Sequence, residues 1–164
     1  MERTTVEAVA KHPLFRKLSQ ADKATLIRIM QEEPIAANTL IFQEDSQGDS
    51  MYILVTGTVI LQRDIDGEPT PCFQLRAGES FGELALLNPG PRLLTAKALE
   101  TGLIIKLSNK KLAELEITNA AAVHALRAKI IEHTLIKIRH LKPMWEQLLT
   151  QGLRQLNGEI LNRQ

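Results

Sequence analysis

Apolar positions change their spacing twice along the chain, and the changes divide it into a helical start, a β centre and a helical end. Residues 5–33 read as helical. Val6, Val9 and Ala10 form one short face, and His12-Pro13 breaks it. Ser19 then suits the cap of a second helix carrying Leu26, Ile27, Ile29 and Met30, with Pro34 beyond its end. Short β-prone runs follow at Thr39–Phe42, Met51–Val55, Val59–Leu61 and Phe73–Leu75, and again at Leu93–Ala98 and Leu103–Leu107. Between the earlier runs stand Gln47-Gly48-Asp49, Thr56-Gly57, Asp66-Gly67 and Ala77-Gly78, the turn chemistry expected of hairpins. This cadence predicts a mainly β fold with flanking α, a small antiparallel β-barrel or jelly roll between N-terminal helices and long C-terminal helices.

After Ser108 the helical period returns through Leu112, Leu115, Val123, Leu126, Ile130 and Leu135. Pro143 suits the first turn of a last helix, striped by Trp145, Leu149, Leu153, Leu156 and Ile160. Four segments result: an N-terminal helical segment at 1–36, the β region at 37–108, lid or dimer helices at 109–142, and a terminal amphipathic helix at 143–164. No internal repeat or low-complexity segment interrupts them.

Composition changes this picture little. At 164 residues and 44% hydrophobic, the chain can bury one core but hardly two. A net charge of +1 gives no global pull toward nucleic acid or membrane. The charge is uneven, with 11 basic and 14 acidic residues in 1–108 against 9 basic and 5 acidic in 109–164. The basic excess reads as a solvated helical face. Cys72 is alone, which excludes an intrachain disulfide and fits a reducing compartment; its apolar neighbours predict a small buried side chain. With no apolar run long enough to span a bilayer and no apolar signal core, a soluble cytoplasmic protein is expected.

The candidate chemistry lies in the stretch from Phe81 to Ala96. Glu83 and Arg92 stand nine positions apart, at opposite ends of a predicted short helix and loop. Gly82, at a strand end, lets a backbone approach a ligand closely, and free N–H groups at the helix start favour an anion. An ionised carboxylate only accepts hydrogen bonds, so its natural partner is a hydroxyl. A guanidinium meets a phosphate with a forked, charge-assisted bond. For either residue alone, a plain helix-terminal glutamate bridged to an arginine would serve as well.

Phe81-Gly82-Glu83-Leu84-Ala85 followed by Pro91-Arg92 resembles the phosphate-binding cassette of the cyclic nucleotide-binding domain family. That family includes kinase regulatory subunits, catabolite activators and gated channels. The segment Gly48-Asp49-Ser50-Met51-Tyr52-Ile53, with Gly57 and Val59 beyond it, is similar to the family's hairpin, and Leu75-Arg76-Ala77-Gly78 leads into the cassette as is usual there. The resemblance implies a non-catalytic sensor with no metal and no cofactor, whose ligand is a cyclic nucleotide. Its ligand-binding residues would be Gly82, Glu83, Leu84 and Ala85 on one side and Arg92, Leu93 and Leu94 on the other. Glu83 would take the ribose 2′-hydroxyl and Arg92 the phosphate. Leu93 and Leu94 depart from the family, which has small residues after the arginine; threonine at the first position marks cyclic GMP preference, so its absence tilts the choice to cyclic AMP over cyclic GMP. The same resemblance places a lid over the base at Thr134, Lys137 and Ile138, although Leu135 and Ile138 fit a core or dimer seam equally well.

Implied partners are the nucleotide, an unidentified effector protein regulated through the C-terminal helices, and a second copy joined through the 123–160 helices. The competing readings are weighed by residue type. A cupin-type enzyme needs histidines inside the β region, and His12, His124, His133 and His140 all lie outside the predicted strands. A DNA-reading activator needs a helix-turn-helix beyond Pro143, where about twenty residues remain; no nucleic acid and no membrane partner is expected. A degenerate domain that binds proteins but no nucleotide is the alternative that Leu93 and Leu94 keep open.

Overall fold

The computed structural model describes residues 1–161; from His140 onward, side chains are described at Lys142, Glu146, Gln147 and Thr150. The chain forms two units, Met1–Lys129 and Ile130–Gln164. Three short helices open the first: α1 (Arg3–Lys11), α2 (Pro13–Arg16) and α3 (Gln20–Arg28). Pro13 takes the first helical position of α2, where its missing N–H costs nothing, and His12 Nδ1 accepts from Leu14 N at 3.2 Å. Ser19 caps α3, its Oγ accepting from Asp22 N at 3.1 Å. Val9, Phe15 and Leu26 are fully buried.

The helical start does not run to residue 33. It ends at Arg28, and Gln31–Ile35 form β1, paired antiparallel with β10 (Gly102–Ser108). β1 is a sheet edge, which is why Pro34 can sit in it without breaking a ladder. The same sheet continues through β4 (Ser50–Thr56) to β7 (Ser80–Phe81), in the order β1-β10-β4-β7. A second four-stranded sheet runs β2-β9-β5-β6, built from Leu40–Phe42, Thr95–Ala98, Thr58–Ile65 and Glu68–Arg76. β3 (Gln47–Gly48) and β8 (Gly90–Pro91) form a two-stranded pair. The β5–β6 turn is the predicted Asp66-Gly67, both residues left-handed at φ 57 and 86.

The expected mainly β barrel or jelly roll is therefore overturned. Neither four-stranded sheet closes on itself, and the helices hold more residues than the strands, so the fold is a mixed α/β one with open antiparallel sheets. The edges show why. Pro34 on β1 and Pro69 and Pro71 on β6 lack the N–H that a further strand would need, while β7 is two residues long. Cys72 is a second correction: on edge strand β6 it is exposed, not buried. The core lies where the sheets pool apolar side chains: Tyr52, Leu54 and Ile104 from one, Val59, Leu75 and Ala96 from the other.

Three further helices complete the chain: α4 (Glu83–Leu87), α5 (Asn109–Thr118) and α6 (Ala120–Leu161). Ser108 caps α5, its Oγ accepting from Lys111 N at 3.3 Å. α6 passes Pro143 unbroken, so no separate helix starts there. An interior proline removes one backbone hydrogen bond, which the long helical flanks on both sides absorb. Residues 162–164 of the predicted terminal segment, and the side chains of its stripe at Trp145, Leu149, Leu153, Leu156 and Ile160, lie outside the described residues.

Candidate functional site

Arg92 is the centre of the site. It is 6% exposed, and its guanidinium carbon lies 4.1 Å from the Phe42 ring centroid and 5.7 Å from that of Tyr52. Those rings belong to a cluster with Phe81, whose centroid is 5.2 Å from Tyr52 and 5.9 Å from Phe42. The main chain of Arg92 is pinned on both sides: its N–H donates to the Ser46 carbonyl and its carbonyl accepts from Asp45 N, each at 2.9 Å. Asp45 makes that turn at φ 62, a left-handed conformation that aspartate tolerates.

Two glycines make room for the guanidinium. A Cβ at Gly48 would lie 2.6 Å from Arg92 Cζ, and one at Gly82 would lie 2.7 Å from Nη1. Nη1 donates to the Ser50 carbonyl at 2.9 Å and weakly to Gly82 O at 3.4 Å. Nε has no hydrogen-bond partner among the described residues. Burial pushes the guanidinium below its usual pKa, with the Tyr52 hydroxyl and the Asp49 charge pulling the other way. No ion pair holds Arg92 among the described residues. A buried cation held by rings and carbonyls, with no carboxylate at ion-pair distance among the described residues, is a ready receptor for an anion.

Glu83 opens α4 directly after Gly82, which adopts φ 74. Its Oε1 accepts from Ser80 Oγ at 2.7 Å, so the hydroxyl on β7 orients the carboxylate. Between α4 and the Arg92 loop lies a hollow of about 160 Å³. All seven ligand-binding residues expected from the sequence line it: Gly82, Glu83, Leu84 and Ala85 from one side, Arg92, Leu93 and Leu94 from the other. Leu93 is 68% exposed, so its side chain stands at the rim and does not plug the hollow. Leu84 is exposed as well. Thr134, Lys137 and Ile138 belong to the second unit, within α6.

Sequence reasoning missed part of this wall. Phe42, Leu61 and Pro91 also line the hollow. Phe42 and Leu61 reach it through sheet pairing far from the cassette, for which no local signal exists. Gly48, Ser50 and Tyr52, by contrast, sit in a segment whose spacing was visible, although its strands β4 and β5 lie in different sheets and form no hairpin; their use is to seat Arg92. Among the described residues no group of three or more His, Cys, Asp and Glu side chains could hold a metal ion. Nor is any described helix long and apolar enough to cross a membrane.

Residues 32–119 match the family model described as the cyclic nucleotide-binding domain. The chain is 36% identical over 97 residues to a cAMP-dependent protein kinase regulatory subunit of Candida albicans, covering 59% of this chain and 20% of that one. It is 33% identical over 92 residues to a cyclic nucleotide-gated potassium channel of Rhizobium etli, covering 56% and 24%. The chain thus spans about a quarter or less of the length of these curated relatives. Among solved structures, the regulatory domain of Toxoplasma gondii PKA with cAMP aligns with TM-score 0.62 and 30% identity, over 68% of this chain and 42% of that one. A cyclic nucleotide-binding domain from Methylobacillus flagellatus aligns with TM-score 0.76 over 88% and 82%, and at 20% identity this likeness speaks for the fold alone.

Proposed function

The chain belongs to the cyclic nucleotide-binding domain family, and from that premise we propose that it is a sensor of cyclic AMP, ahead of cyclic GMP, that regulates a partner protein through its C-terminal helices. The domain is a regulatory one and non-catalytic. The observation that carries the reading is Arg92: a buried guanidinium with an unpartnered Nε, bordering a hollow that Glu83 also lines. A cyclic phosphodiester brings the single negative charge such a cation lacks, and the attached ribose brings a hydroxyl for Glu83. The rim leucines, Leu84 and Leu93, suit the face of a purine. Leu93 offers no hydroxyl to the 2-amino group of guanine, which supports the adenine choice.

The partner proposals follow from α6. Thr134, Lys137 and Ile138 are candidates for a lid over the base. Ile131, Leu135 and Ile138, each about half exposed, recur at helical spacing and suit a second copy of this chain. Titration calorimetry of nucleotide-free protein tests the ligand, with saturable heat from cyclic AMP and weaker binding of cyclic GMP expected. Absence of heat with both would replace the sensor by a protein-interaction module on the same fold.

A further inference from the structure

Asn109, the first residue of α5, holds both walls of the hollow at once. Its backbone N–H donates to the Asp49 carbonyl at 2.7 Å, and its Nδ2 donates to the Leu86 carbonyl at 2.8 Å. Asp49 immediately precedes Ser50, whose carbonyl receives Arg92 Nη1. Leu86 lies near the end of α4, the helix that begins at Glu83. One residue, through its backbone N–H and its side-chain amide, thus ties together the segment that seats the cation and the helix that carries the carboxylate.

The chemistry at Leu86 is specific. A five-residue helix cannot satisfy its own last carbonyls, and Leu86 is fully buried. The donor therefore comes from another element, 23 residues away in sequence. We infer that Asn109 is a positioning residue: it sets the distance between the two walls and couples that distance to the root of α5. The direction of coupling rests on the hollow being the nucleotide site. Asn109 itself does not line the hollow; it acts through Leu86 and Ser50. Any change in the wall spacing on ligand uptake must then be felt at α5, and by linkage a change at α5 must alter uptake.

The informative substitution is Asn109→Asp. A carboxylate near the start of a helix suits the helix dipole, so α5, with its Ser108 cap, keeps its own stability. An ionised carboxylate cannot donate to Leu86 O and repels it. Asn109→Gln keeps the donor on a longer stem. Amide hydrogen exchange is read on the full chain in segments 49–56, 83–88 and 109–118, without and with cyclic AMP. In nucleotide-free protein, Asn109→Asp exchanges roughly tenfold faster in 83–88 and as the parent does in 49–56, whose bond from the backbone N–H of residue 109 every variant keeps, and Asn109→Gln falls between the two in 83–88. With cyclic AMP, the parent gains protection in 83–88 and in α5 together, whereas Asn109→Asp gains it in 83–88 alone. Unchanged exchange at 83–88 in the nucleotide-free variant, or undiminished protection of α5, overturns the inference. A parent protein that takes up no cyclic nucleotide removes the proposed ligand, while the nucleotide-free comparison still decides the role of Asn109.

Discussion

Arg92 combines burial, two aromatic faces and two carbonyl acceptors without a carboxylate clasp. In the proposed site its contribution to binding would be that of a charge-assisted hydrogen bond, about 1.5–3 kcal/mol. Arg92→Ala therefore weakens cyclic AMP binding by roughly ten- to a hundredfold, and Arg92→Lys recovers only part, because an ammonium cannot fork. Calorimetry measures both; equal affinities in Arg92→Ala and the parent would take this residue out of the site. Leu93 calls for a different expectation. At 68% exposure its replacement by threonine leaves stability nearly unchanged, yet adds a hydroxyl at the rim. The ratio of the cyclic GMP to the cyclic AMP dissociation constant falls in Leu93→Thr; a ratio equal to the parent's would move this side chain away from the base. The residues Gly82, Glu83 and Arg92 were legible because their chemistry and spacing are local. Phe42 was not, because only sheet packing brings its ring over the guanidinium.

The elements that sequence reading found are those that carry a run of apolar residues, including β2 and β9 at three and four residues. β4, β5 and β10, at 7, 8 and 7 residues, each announce themselves by apolar runs. β3, β7 and β8 are two residues each and carry no periodicity at all. They exist because neighbours supply the ladder: Gly48 faces Gly90, and Phe81 faces Tyr52. β1 was hidden for another reason, since Glu32-Glu33-Pro34 lacks the alternation of a half-buried strand and owes its pairing to β10. β4 is the element on which the sheet and the site both depend. It lies inside its sheet, and Leu54 on it is wholly buried. Leu54→Ala destabilises the first unit by about 2–5 kcal/mol through lost burial and the cavity left behind. Urea unfolding measures it, and a loss below about 1 kcal/mol would mean that the site collapses to fill the space.

Two units share one chain, and self-association is a question for the second. Ile131, Leu135 and Ile138 leave an apolar stripe exposed on α6. A double replacement, Ile131→Glu with Leu135→Glu, or deletion of residues 143–164, shifts the sedimentation distribution from dimer toward monomer while changing nucleotide affinity less. A mass distribution identical to the parent's would assign that stripe to something other than a second copy. The amino-acid order alone established the Asp66-Gly67 hairpin turn, the helix cap at Ser19, the helical ending after Ser108, and a carboxylate and a guanidinium nine positions apart. These follow from short-range rules: left-handed φ at Gly67, a hydroxyl reaching an N–H three residues on, apolar residues repeating on one helical face. Folding in three dimensions settled what such rules cannot reach. The sheets stay open, with prolines on edge strands β1 and β6, Cys72 is exposed on β6, and Arg92 is sealed beneath the rings of Phe42 and Tyr52 and against Gly48, at least 40 positions away in the chain. Each of these depends on contacts between distant residues, and no single stretch of sequence carries both partners.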